Sequence, residues 1–509
     1  ISKFLGKSFV VIATLGHIKD LPKNSLGVDL STLEPAFVWL PNKKKLIGKI
    51  ITLAKDASAI YIATDPDREG EAIANSIREV LKNVKKPTFR VSLYELTPKA
   101  IYKALQNPGE INKSLVNAQL ARRVLDRLVG YLLSPKASKA LKLKGASVGR
   151  VQSPAIRLIV EREKKIQTFK PKTSYYIKAV FQDFEATLKY RFEKPENAKV
   201  FIEKFKDLPF EVLKIQSWQE SISPPKAFKT ATLQQVASQK LSISVSTVQK
   251  LAQMLYETGY ITYPRTDSTR INYEKALEIQ KHIKKLYGDK YLGTIYQEKM
   301  SAHECIRPVS IRKKPPEGIL GELYRLILNT TLASLSSPAV VKKSKIYLRP
   351  IDQSQEFIAS FQELDFDGFL RLLGETIESK PMPEIKEGDI LIPLELKIFS
   401  VNTSPPERLT EATLIKALEK LGIGRPSTFA TIVSTILERG YIKKQGKSLI
   451  PTQEAFDLID FLEENYSMVI DFEYTKKMEE LLEKIEKENI NWKQVVKELF
   501  QEIIKLDSL

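Results

Sequence analysis

Three short segments of this chain recur in the same order, and their recurrence constrains the fold more than any other feature. Each lies 181 positions further on in its second copy, from residue 232 to 413, from 246 to 427 and from 259 to 440. The matching segments are Thr232-Leu233 with Thr413-Leu414, Ser246-Thr247 with Ser427-Thr428, and Gly259-Tyr260-Ile261 with Gly440-Tyr441-Ile442. Each copy predicts a helix, a turn, a second helix capped by Ser-Thr, and a strand after the glycine. This order is typical of a helix-turn-helix with a wing, so we predict two winged-helix modules.

The two copies differ at Tyr263, which Lys444 replaces in the second copy. In the first copy a helical run from Ala231 to Glu257 leads to an extended segment, which Pro264 ends because proline cannot donate a hydrogen bond to a neighbouring strand. The alternative role for one of nineteen tyrosines is ring packing. Since the scaffold recurs and the tyrosine does not, we favour a chemical role for Tyr263.

Composition limits the architecture and the partners. A chain of 509 residues exceeds one hydrophobic core, so we expect three or four domains. Its net charge of +19 is spread over the length, which favours an extended polyanion as partner. Cys305 is the single cysteine, so we expect no disulfide framework, no cysteine-rich zinc site and a reducing compartment. No apolar run reaches bilayer length and no secretory signal is visible, which predicts a cytoplasmic protein with no membrane partner.

An acidic loop follows an apolar strand-like run, Ala59 to Thr64, and precedes a predicted helix, Ala72 to Leu81. Its carboxylates are Asp65, Asp67 and Glu69. Three carboxylates on one loop repel one another unless a hard divalent cation binds them, and Mg²⁺ is the expected ion. The alternative is an ordinary helix start, where acidic residues act as caps. An EF-hand is excluded, because the twelfth position of that calcium loop needs glutamate and holds Ser76.

Two other loops carry candidate phosphate contacts. Phe9 to Ala13 predicts a strand, and the loop after it contains His17. Residues 145 to 154 combine two glycines, small hydroxyls and Arg150 ahead of a helix, which suits the close approach of a phosphate. A solvated histidine and an ordinary helix start are the alternatives.

Residues 98 to 169 have a helical pattern. One predicted face comprises Leu120, Val124, Leu128 and Tyr131, and Arg123 and Arg127 lie on another. A charged face of this kind is usually only solvated. Asp126, however, lies within helical reach of Arg122 and Arg123, so we expect it to hold one of these guanidinium groups in position for a phosphate.

Two β-rich stretches flank the first winged-helix module. The predicted strands are Tyr175 to Phe181 and Phe184 to Tyr190 before it, and Lys345 to Arg349, Gln355 to Phe361 and Ile390 to Ile398 after it. This arrangement predicts one β domain into which a helical block, residues 224 to 342, is inserted.

Neither ATP nor zinc chemistry is indicated. Gly6-Lys7-Ser8 and Gly446-Lys447-Ser448 both lack the earlier glycine of a Walker A loop, so we expect no ATP use. After His303 and Glu304, Arg307 stands where the zinc-protease signature needs its second histidine.

Several motifs, in order and over nearly the whole chain, resemble those of the type IA DNA topoisomerases. Asp65 to Ala72 resembles the Toprim acidic motif, Gly149 to Ser153 a DNA-contacting motif, and Gly259 to Thr269 the active-site tyrosine motif. Residues 302 to 308 and 422 to 428 resemble two further signatures. The resemblance implies a multidomain fold of α/β, α and β parts. Its expected form is a toroidal core with a Toprim domain, a β arch and two winged-helix (CAP-like) modules.

The implied domain limits follow from the order of these motifs. We expect a Toprim domain at 1–107, a helical DNA-binding domain at 108–168 and 404–509, a β arch at 169–223 and 343–403, and the inserted winged-helix domain with the tyrosine at 224–342.

The resemblance also implies a reaction: Tyr263 attacks a DNA phosphate, forms a 5′-phosphotyrosyl link, and allows strand passage and resealing without ATP. The implied substrate is a single-stranded segment of negatively supercoiled DNA, and the implied enzyme is a nucleoid-associated monomer. The implied catalytic residues are Tyr263, Arg265, His303 and Glu304, with Mg²⁺ on Asp65, Asp67 and Glu69. The implied DNA contacts are His17, Arg68, Arg122, Arg123, Asp126, Tyr131, Ser147, Arg150, Gln152, Arg425, Ser427 and Thr428.

Family members carry an N-terminal strand with a Glu-Ser-Pro-Ala-Lys-like motif and, in many bacterial cases, C-terminal zinc ribbons. Neither is visible here, so we expect a truncated core. An aromatic residue expected soon after Tyr131 is also not found in Ser134 to Lys142. The alternatives are a non-catalytic winged-helix DNA-binding protein, a Toprim primase or nuclease, the topoisomerase module of a reverse gyrase, and a decatenating enzyme.

Overall fold

A computed structural model describes residues 1–295, 304–488 and 490–504 of the chain. The first part alternates short strands with helices. Its elements are α1 (Ser2–Leu5), β1 (Lys19–Asp20), β2 (Val38–Trp39), a 3₁₀ turn (Pro41–Lys43), α2 (Lys44–Asp56), β3 (Ile60–Ile62), α3 (Arg68–Val80), β4 (Thr88–Arg90) and α4 (Pro98–Gln106). β3 and β4 pair in parallel, with α3 as the connection between them. The acidic loop therefore lies at the carboxyl end of a parallel strand, where open α/β sheets place their sites.

The strand predicted at Phe9 to Ala13 is wrong. In the described structure this stretch joins no strand, and β3 pairs with β4 alone. Val10 and Val11 are exposed, and the Phe9 ring lies 6.4 Å from that of Tyr61. An apolar pattern becomes a strand only when a neighbouring backbone pairs with it, and here none does.

Two long helices follow, α5 (Lys113–Ala140) and α6 (Gln152–Gln167). As predicted, Val124 and Leu128 on α5 are fully buried, whereas Tyr131 is exposed. α5 contacts α3 on one side and the C-terminal helices on another. It therefore connects the acidic loop to the C-terminal part.

The predicted β-rich stretches flank a helical block. The first comprises β5 (Thr173–Val180), β6 (Glu185–Leu188), α7 (Pro195–Phe205) and β7 (Phe210–Ile222). The block comprises α8 (Thr230–Leu241), α9 (Val245–Glu257), α10 (Tyr273–Tyr287), a 3₁₀ turn (Asp289–Tyr291) and α11 (Gly318–Ser334). The second comprises β8 (Ala339–Pro350), β9 (Phe357–Phe366), α12 (Phe369–Leu373), β10 (Ile390–Leu391) and β11 (Glu395–Asn402).

Strands from both stretches join in one antiparallel sheet of order β10-β7-β8-β9-β6-β5-β11. The longest pairing runs from Phe210 opposite Pro350 to Ile222 opposite Ala339, so the chain leaves and re-enters the sheet on adjacent strands. The helical block is therefore an insertion between β7 and β8, as the sequence predicts.

The C-terminal part comprises α13 (Glu411–Lys420), α14 (Phe429–Glu438), β12 (Ile442–Gln445), β13 (Ser448–Pro451), α15 (Gln453–Asn465), α16 (Ser467–Ile470), α17 (Phe472–Glu488) and α18 (Trp492–Ile504). β12 and β13 form a hairpin, so the second repeat copy has the predicted wing. Its core is continuous with the buried faces of α5 and α6.

The first copy has both predicted helices, α8 and α9, but its predicted strand is wrong. The segment after Gly259 forms a single bridge, between Ile261 and Pro308. Thr262 N donates to Arg307 O at 3.0 Å as part of this bridge, whereas Tyr263 N donates to Tyr94 O at 2.9 Å. The segment is thus held between two loops instead of beside a partner strand.

The two copies pack against each other, α8 on α13 and α9 on α14. Glu411 connects them: its Oε2 accepts from Val245 N at 2.8 Å, and its Oε1 lies 2.6 Å from Lys444 Nζ. Lys444, which stands where the first copy has Tyr263, is therefore an ion-pair partner at this interface. In the described ranges no helix is long and apolar enough to cross a membrane.

Candidate active site and nucleic-acid groove

Tyr263 is buried where the inserted block meets the first part of the chain, with 3% of its surface exposed. Gly259, at a φ of +71°, ends α9 and turns the chain toward it. The Tyr256 ring packs edge-on against the Tyr263 ring at 5.3 Å between centroids, and the Tyr256 hydroxyl donates to Leu93 O at 2.6 Å. The tyrosine is therefore held by its backbone and its ring before any ligand is present.

The Tyr263 hydroxyl donates to Asp67 Oδ2 at 2.6 Å. Arg265 lies beside them, with Nη1 at 3.2 Å from the same Asp67 oxygen and Nη2 bonded to Asp65 Oδ2. The guanidinium carbon is 5.4 Å from the centre of the Tyr263 ring. Thus four residues that the sequence predicted in two separate motifs form one cluster.

Electrostatics keep this cluster in a defined protonation state. Burial, followed by the charge of Asp67, raises the pKa of Tyr263 far above that of a free phenol. Burial also raises the pKa of Asp65, and Arg265 opposes that shift. The phenol therefore stays protonated at physiological pH, and the nucleophilic role predicted for it would require an acceptor for its proton.

The acidic loop has the capping role that the sequence left open as the alternative, and it also faces the tyrosine. Asp67 caps α3, because its Oδ1 accepts from Gly70 N at 2.8 Å while Oδ2 faces the tyrosine. Asp65 and Asp67 converge on Arg265, whereas Glu69 Oε2 lies 2.9 Å from His17 Nε2. Across the described parts of the chain, no three His, Cys, Asp or Glu side chains are gathered as a ready metal cage. The metal set thus stays a prediction.

Glu304, which was predicted to be catalytic, contacts Arg307 and Asn272. It binds Arg307 through two hydrogen bonds, at 2.8 and 2.7 Å, and accepts from Asn272 N at 2.6 Å. Arg307 is buried and also lies 3.7 Å from Glu95, so this pair helps to join the block to the first part of the chain. His303 lies outside the described residues.

A groove of about 340 Å³ runs between α3, α5 and the start of α14. Six of the residues predicted for metal or DNA contact line it: His17, Glu69, Arg122, Arg123, Asp126 and Thr428. Lys19 lines it as well and pairs with Glu79 at 2.6 Å. The groove therefore gathers predicted contacts from four separate stretches of sequence.

The arginine partners differ from the predicted ones. Arg123 pairs with Asp20 at 2.5 Å, and Arg122 pairs with Glu479 of α17. Asp126 accepts from Arg150 Nε at 2.9 Å, although its spacing predicted Arg122 or Arg123. The prediction was wrong because tertiary contacts bring stronger partners than the neighbours on the same helix. The Arg150 side chain is fully buried by these contacts.

Other predicted DNA contacts mainly organise loops here. Gln152 Nε2 donates to Ser147 O at 3.0 Å, and Ser147 N donates to the Tyr441 hydroxyl at 2.7 Å. The Tyr131 hydroxyl lies 3.5 Å from Asn24 O. Their roles on DNA stay predictions.

The remaining predicted contacts lie at helix starts. Thr428 Oγ1 accepts from Arg425 N at 2.9 Å, and Ser427 is half-buried beside them. Arg68 begins α3 and lies 3.4 Å from Glu486, while Arg425 pairs with Glu483 at 2.6 Å.

Sequence reasoning missed Glu479 and Tyr256. Glu479 carried a signal, because it lies within the apolar stripe of α17 formed by Thr475, Met478, Leu482 and Ile485. A charged residue on a buried helix face needs a partner, which the sequence alone did not identify.

The turn before Tyr263 offers a matched test. A Cβ on Gly259 would lie 2.5 Å from the backbone oxygen of Leu96, whereas one on Gly440, the repeat counterpart at φ +79°, would meet nothing within 4 Å. We expect Gly440→Ala to cost about 1–2 kcal/mol for the left-handed backbone alone. Gly259→Ala must in addition move the turn, and a shift near 1 Å lowers a reaction rate about 100-fold.

The measurement is the thermal midpoint of each variant together with the rate, at saturating oligonucleotide, of the DNA cleavage that the family resemblance implies. Equal cleavage rates in the two alanine variants would show that the contact with Leu96 does not position the tyrosine.

Comparison with known proteins assigns this arrangement to a class. Residues 110–497 match the family model described as DNA topoisomerase, and residues 1–96 match that of the Toprim domain. The chain belongs to the DNA topoisomerase family.

Within that family it has the core of the bacterial type IA enzymes. It is 46% identical to DNA topoisomerase 1 of Aquifex aeolicus (strain VF5), over 99% of this chain and 96% of that protein. It is 37% identical to DNA topoisomerase 1 of Campylobacter jejuni subsp. jejuni (serotype O:2, strain ATCC 700819 / NCTC 11168), over 98% of this chain and 76% of that protein. The structure of full-length topoisomerase I from Thermotoga maritima matches with a TM-score of 0.90 at 36% identity, over 99% of this chain and 87% of that one.

These matches confirm the predicted toroidal type IA fold and the prediction of a DNA topoisomerase. They favour an enzyme over a non-catalytic DNA-binding protein. They also favour a bacterial topoisomerase I core over the module of a reverse gyrase, because the matched relatives are topoisomerases of similar extent.

Proposed function

We propose that Tyr263 is the nucleophile of a DNA strand-cleavage reaction that leaves a 5′-phosphotyrosyl link and needs no ATP. The observation that carries this proposal is the buried hydroxyl 2.6 Å from Asp67 Oδ2, with Arg265 bridging Asp67 and Asp65. A bond forms between the phenolic oxygen and phosphorus, and the bond from phosphorus to the 3′ oxygen breaks. The phosphodiester energy is kept in the tyrosyl ester, so attack by the 3′ hydroxyl reseals the strand.

The geometry gives each group a role. Asp67 Oδ2 is the nearest acceptor for the phenol proton, which then has a route to the departing 3′ oxygen. Arg265 offers charge to the phosphoryl oxygens. Among the hydrogen bonds of the described residues none uses the buried Arg265 Nε, so this donor is free for a substrate oxygen.

We propose Mg²⁺ as the cofactor, held by Asp65 and Asp67 with Glu69 completing the set. The donors fit it in kind, because all are hard carboxylate oxygens and two of them already share one protein cation. A bound Mg²⁺ supplies positive charge for a neighbouring DNA phosphate. Arg265 balances part of the negative charge of the two aspartates.

Metal binding can be measured without the reaction. We expect added Mg²⁺ to raise the melting temperature of the parent protein, because a ligand that binds only the folded state stabilises it. An Asp65→Asn/Asp67→Asn double variant should show no such rise. A double exchange at Asp183 and Asp207, on the β-sheet part, is the control and should keep the response. An equal rise in all three proteins would place the ion elsewhere.

For DNA, we propose a single-stranded segment of negatively supercoiled duplex in the groove beside α5, bound by a monomer. His17, Arg122, Arg123 and Thr428 line that groove, and the spread positive charge of the chain favours the polyanion. His303 and Glu304 stay candidates for the cleavage pocket. The domain limits given above are also proposed, from the order of the sequence motifs.

The test uses one oligonucleotide labelled at either end. After incubation with protein and Mg²⁺ and denaturation in detergent, a 5′-phosphotyrosyl link retains the 3′-end label on the protein and releases the 5′-end label. Retention of the 5′-end label would mean a 3′ link and overturn the proposal. Free ends with no adduct would indicate a Toprim nuclease. Relaxation of negatively supercoiled plasmid without ATP completes the assay.

A further inference from the structure

A fully buried acid, Glu479, lies at the centre of an arginine cluster beside the groove. Its Oε2 binds Arg122 Nη2 at 2.5 Å, its Oε1 binds Arg150 Nη1, and Arg425 Nη1 lies 3.7 Å away. The three arginines come from α5, the loop before α6 and the loop before α14. One carboxylate on α17 thus connects three separate elements.

The surroundings keep Glu479 ionised. Burial alone would raise the pKa of Glu479, but Arg122, Arg150 and Arg425 outweigh burial and hold it well below its usual range. Glu483 and Asp126, the other acids in contact with these arginines, are both partly exposed, whereas Glu479 is 0% exposed. Its carboxylate is therefore ionised at physiological pH and shielded from solvent by the protein.

The cluster has more donors than acceptors. Within the described residues, Arg122 Nε and Arg150 Nη2 are buried and have no hydrogen-bond partner. Buried N–H groups of this kind are rare in folded proteins unless a ligand satisfies them. Arg122 also lines the groove together with Arg123 and Thr428. A phosphate, with several acceptor oxygens, matches these unused donors.

We propose that Glu479 is a positioning residue that holds Arg122, and with it the arginine cluster, in the pose that receives a DNA phosphate in the groove. This inference rests on the proposed function for the identity of the ligand. Glu479 lies behind the arginines and does not touch the DNA. It fixes one side of the Arg122 guanidinium and leaves Nε unoccupied.

The proposal and simple electrostatics predict opposite changes in DNA affinity when the charge of Glu479 is removed. Removal of a negative charge near an anion site should tighten binding, whereas loss of a positioning residue should weaken it. In a Tyr263→Phe background, where cleavage does not interfere, we expect Glu479→Gln to weaken the binding of a mixed-sequence single-stranded oligonucleotide about tenfold, which corresponds to one lost charge-assisted hydrogen bond. The slope of the logarithm of the binding constant against the logarithm of the salt concentration should become shallower by about 0.7 per lost phosphate contact.

The matched control is Glu480→Gln, which removes the same charge from the exposed face of the same helix. We expect its affinity to stay within about twofold, because surface charges are screened by salt. Affinity of Glu479→Gln at or above that of the background, with an unchanged salt slope, would overturn the proposal.

A double variant shows whether Glu479 acts through Arg122. Arg122→Gln alone should weaken binding about tenfold, and the further exchange Glu479→Gln should add less than about threefold, because residues that act as one unit are not additive. A full additional tenfold loss would contradict a positioning role. The double variant removes one charge of each sign and leaves the net charge of the cluster unchanged. It can therefore still be compared with Arg122→Gln if Glu479→Gln alone does not fold.

A measurement of adduct formation separates this proposal from the cleavage mechanism. It uses the Glu479→Gln variant of the protein that retains Tyr263. We expect normal cleavage at saturating oligonucleotide, with the loss confined to subsaturating concentrations. A cleavage rate that stays low at saturation would overturn the assignment to binding. If the parent protein forms no adduct, the proposed function fails, while the binding measurements still decide the role of Glu479.

Discussion

Exchange of Tyr263 for phenylalanine is expected to lower covalent DNA attachment and plasmid relaxation at least about a thousandfold, because the exchange removes the nucleophile itself. Binding of single-stranded DNA should stay within about threefold, since the hydroxyl donates to Asp67 inside the protein and Tyr263 does not line the groove. The lost hydrogen bond should change the free energy of unfolding by about 1 kcal/mol. The measurement combines adduct trapping with equilibrium binding on one oligonucleotide.

Tyr260→Phe is the matched control. It removes a hydroxyl three positions earlier in the same segment, from a half-buried ring that packs on Tyr324 at 5.4 Å. Its cleavage rate should equal that of the parent within about threefold. Persistent adduct in Tyr263→Phe would identify another nucleophile, and the contact between Asp67 and Tyr263 would then be structural.

The sequence predicted the parts of the fold that depend on local pattern. The displacement of 181 positions predicted both helix pairs, and the β-rich stretches predicted strands that overlap every strand of the sheet except β7. The acidic motif and the tyrosine motif were predicted as one pocket only through the family resemblance. Nothing in local spacing shows that Asp67 meets Tyr263, 196 residues later.

The sequence could not predict which partner each charged side chain chooses. Asp126 lies within helical reach of Arg122 and Arg123, but a pair on one exposed helix face stabilises by only about 0.3–0.5 kcal/mol. Arg122 instead binds Glu479, 357 residues away, inside the protein. A contact of this separation depends on how α17 packs on α5, which the hydrophobic pattern of either helix leaves undetermined.

Strand predictions failed for a related reason. Phe9 to Ala13 and the segment at Tyr263 both have extended, apolar patterns, yet neither has a neighbouring strand in the described structure. Pairing is a property of two segments, so a pattern in one segment is insufficient. At Tyr263 the unpaired backbone donates to loops, which places the hydroxyl against the acidic motif.

Exchange of Arg265 should have the second largest effect. Its guanidinium spans Asp65 and Asp67 with two nitrogens, and lysine offers a single point charge that cannot span both. We expect Arg265→Lys to lower the cleavage rate at saturating DNA about 100-fold and Arg265→Ala about 1,000-fold, as for the loss of a transition-state donor. Single-turnover cleavage measures both. The control is Arg325→Lys, on the exposed face of α11, which should match the parent.

The pH dependence distinguishes the charge of Arg265 from its forked shape. Burial raises the pKa of Asp65, and the charge of Arg265 lowers it. Without that charge the pKa of Asp65 rises further, so its carboxylate is protonated at a higher pH as the solution is acidified. The acid limb of the cleavage profile should therefore move to higher pH in Arg265→Ala and stay near that of the parent in Arg265→Lys. If both variants keep the parental acid limb, Asp65 does not have to be ionised for cleavage, and its proposed role in binding the metal fails.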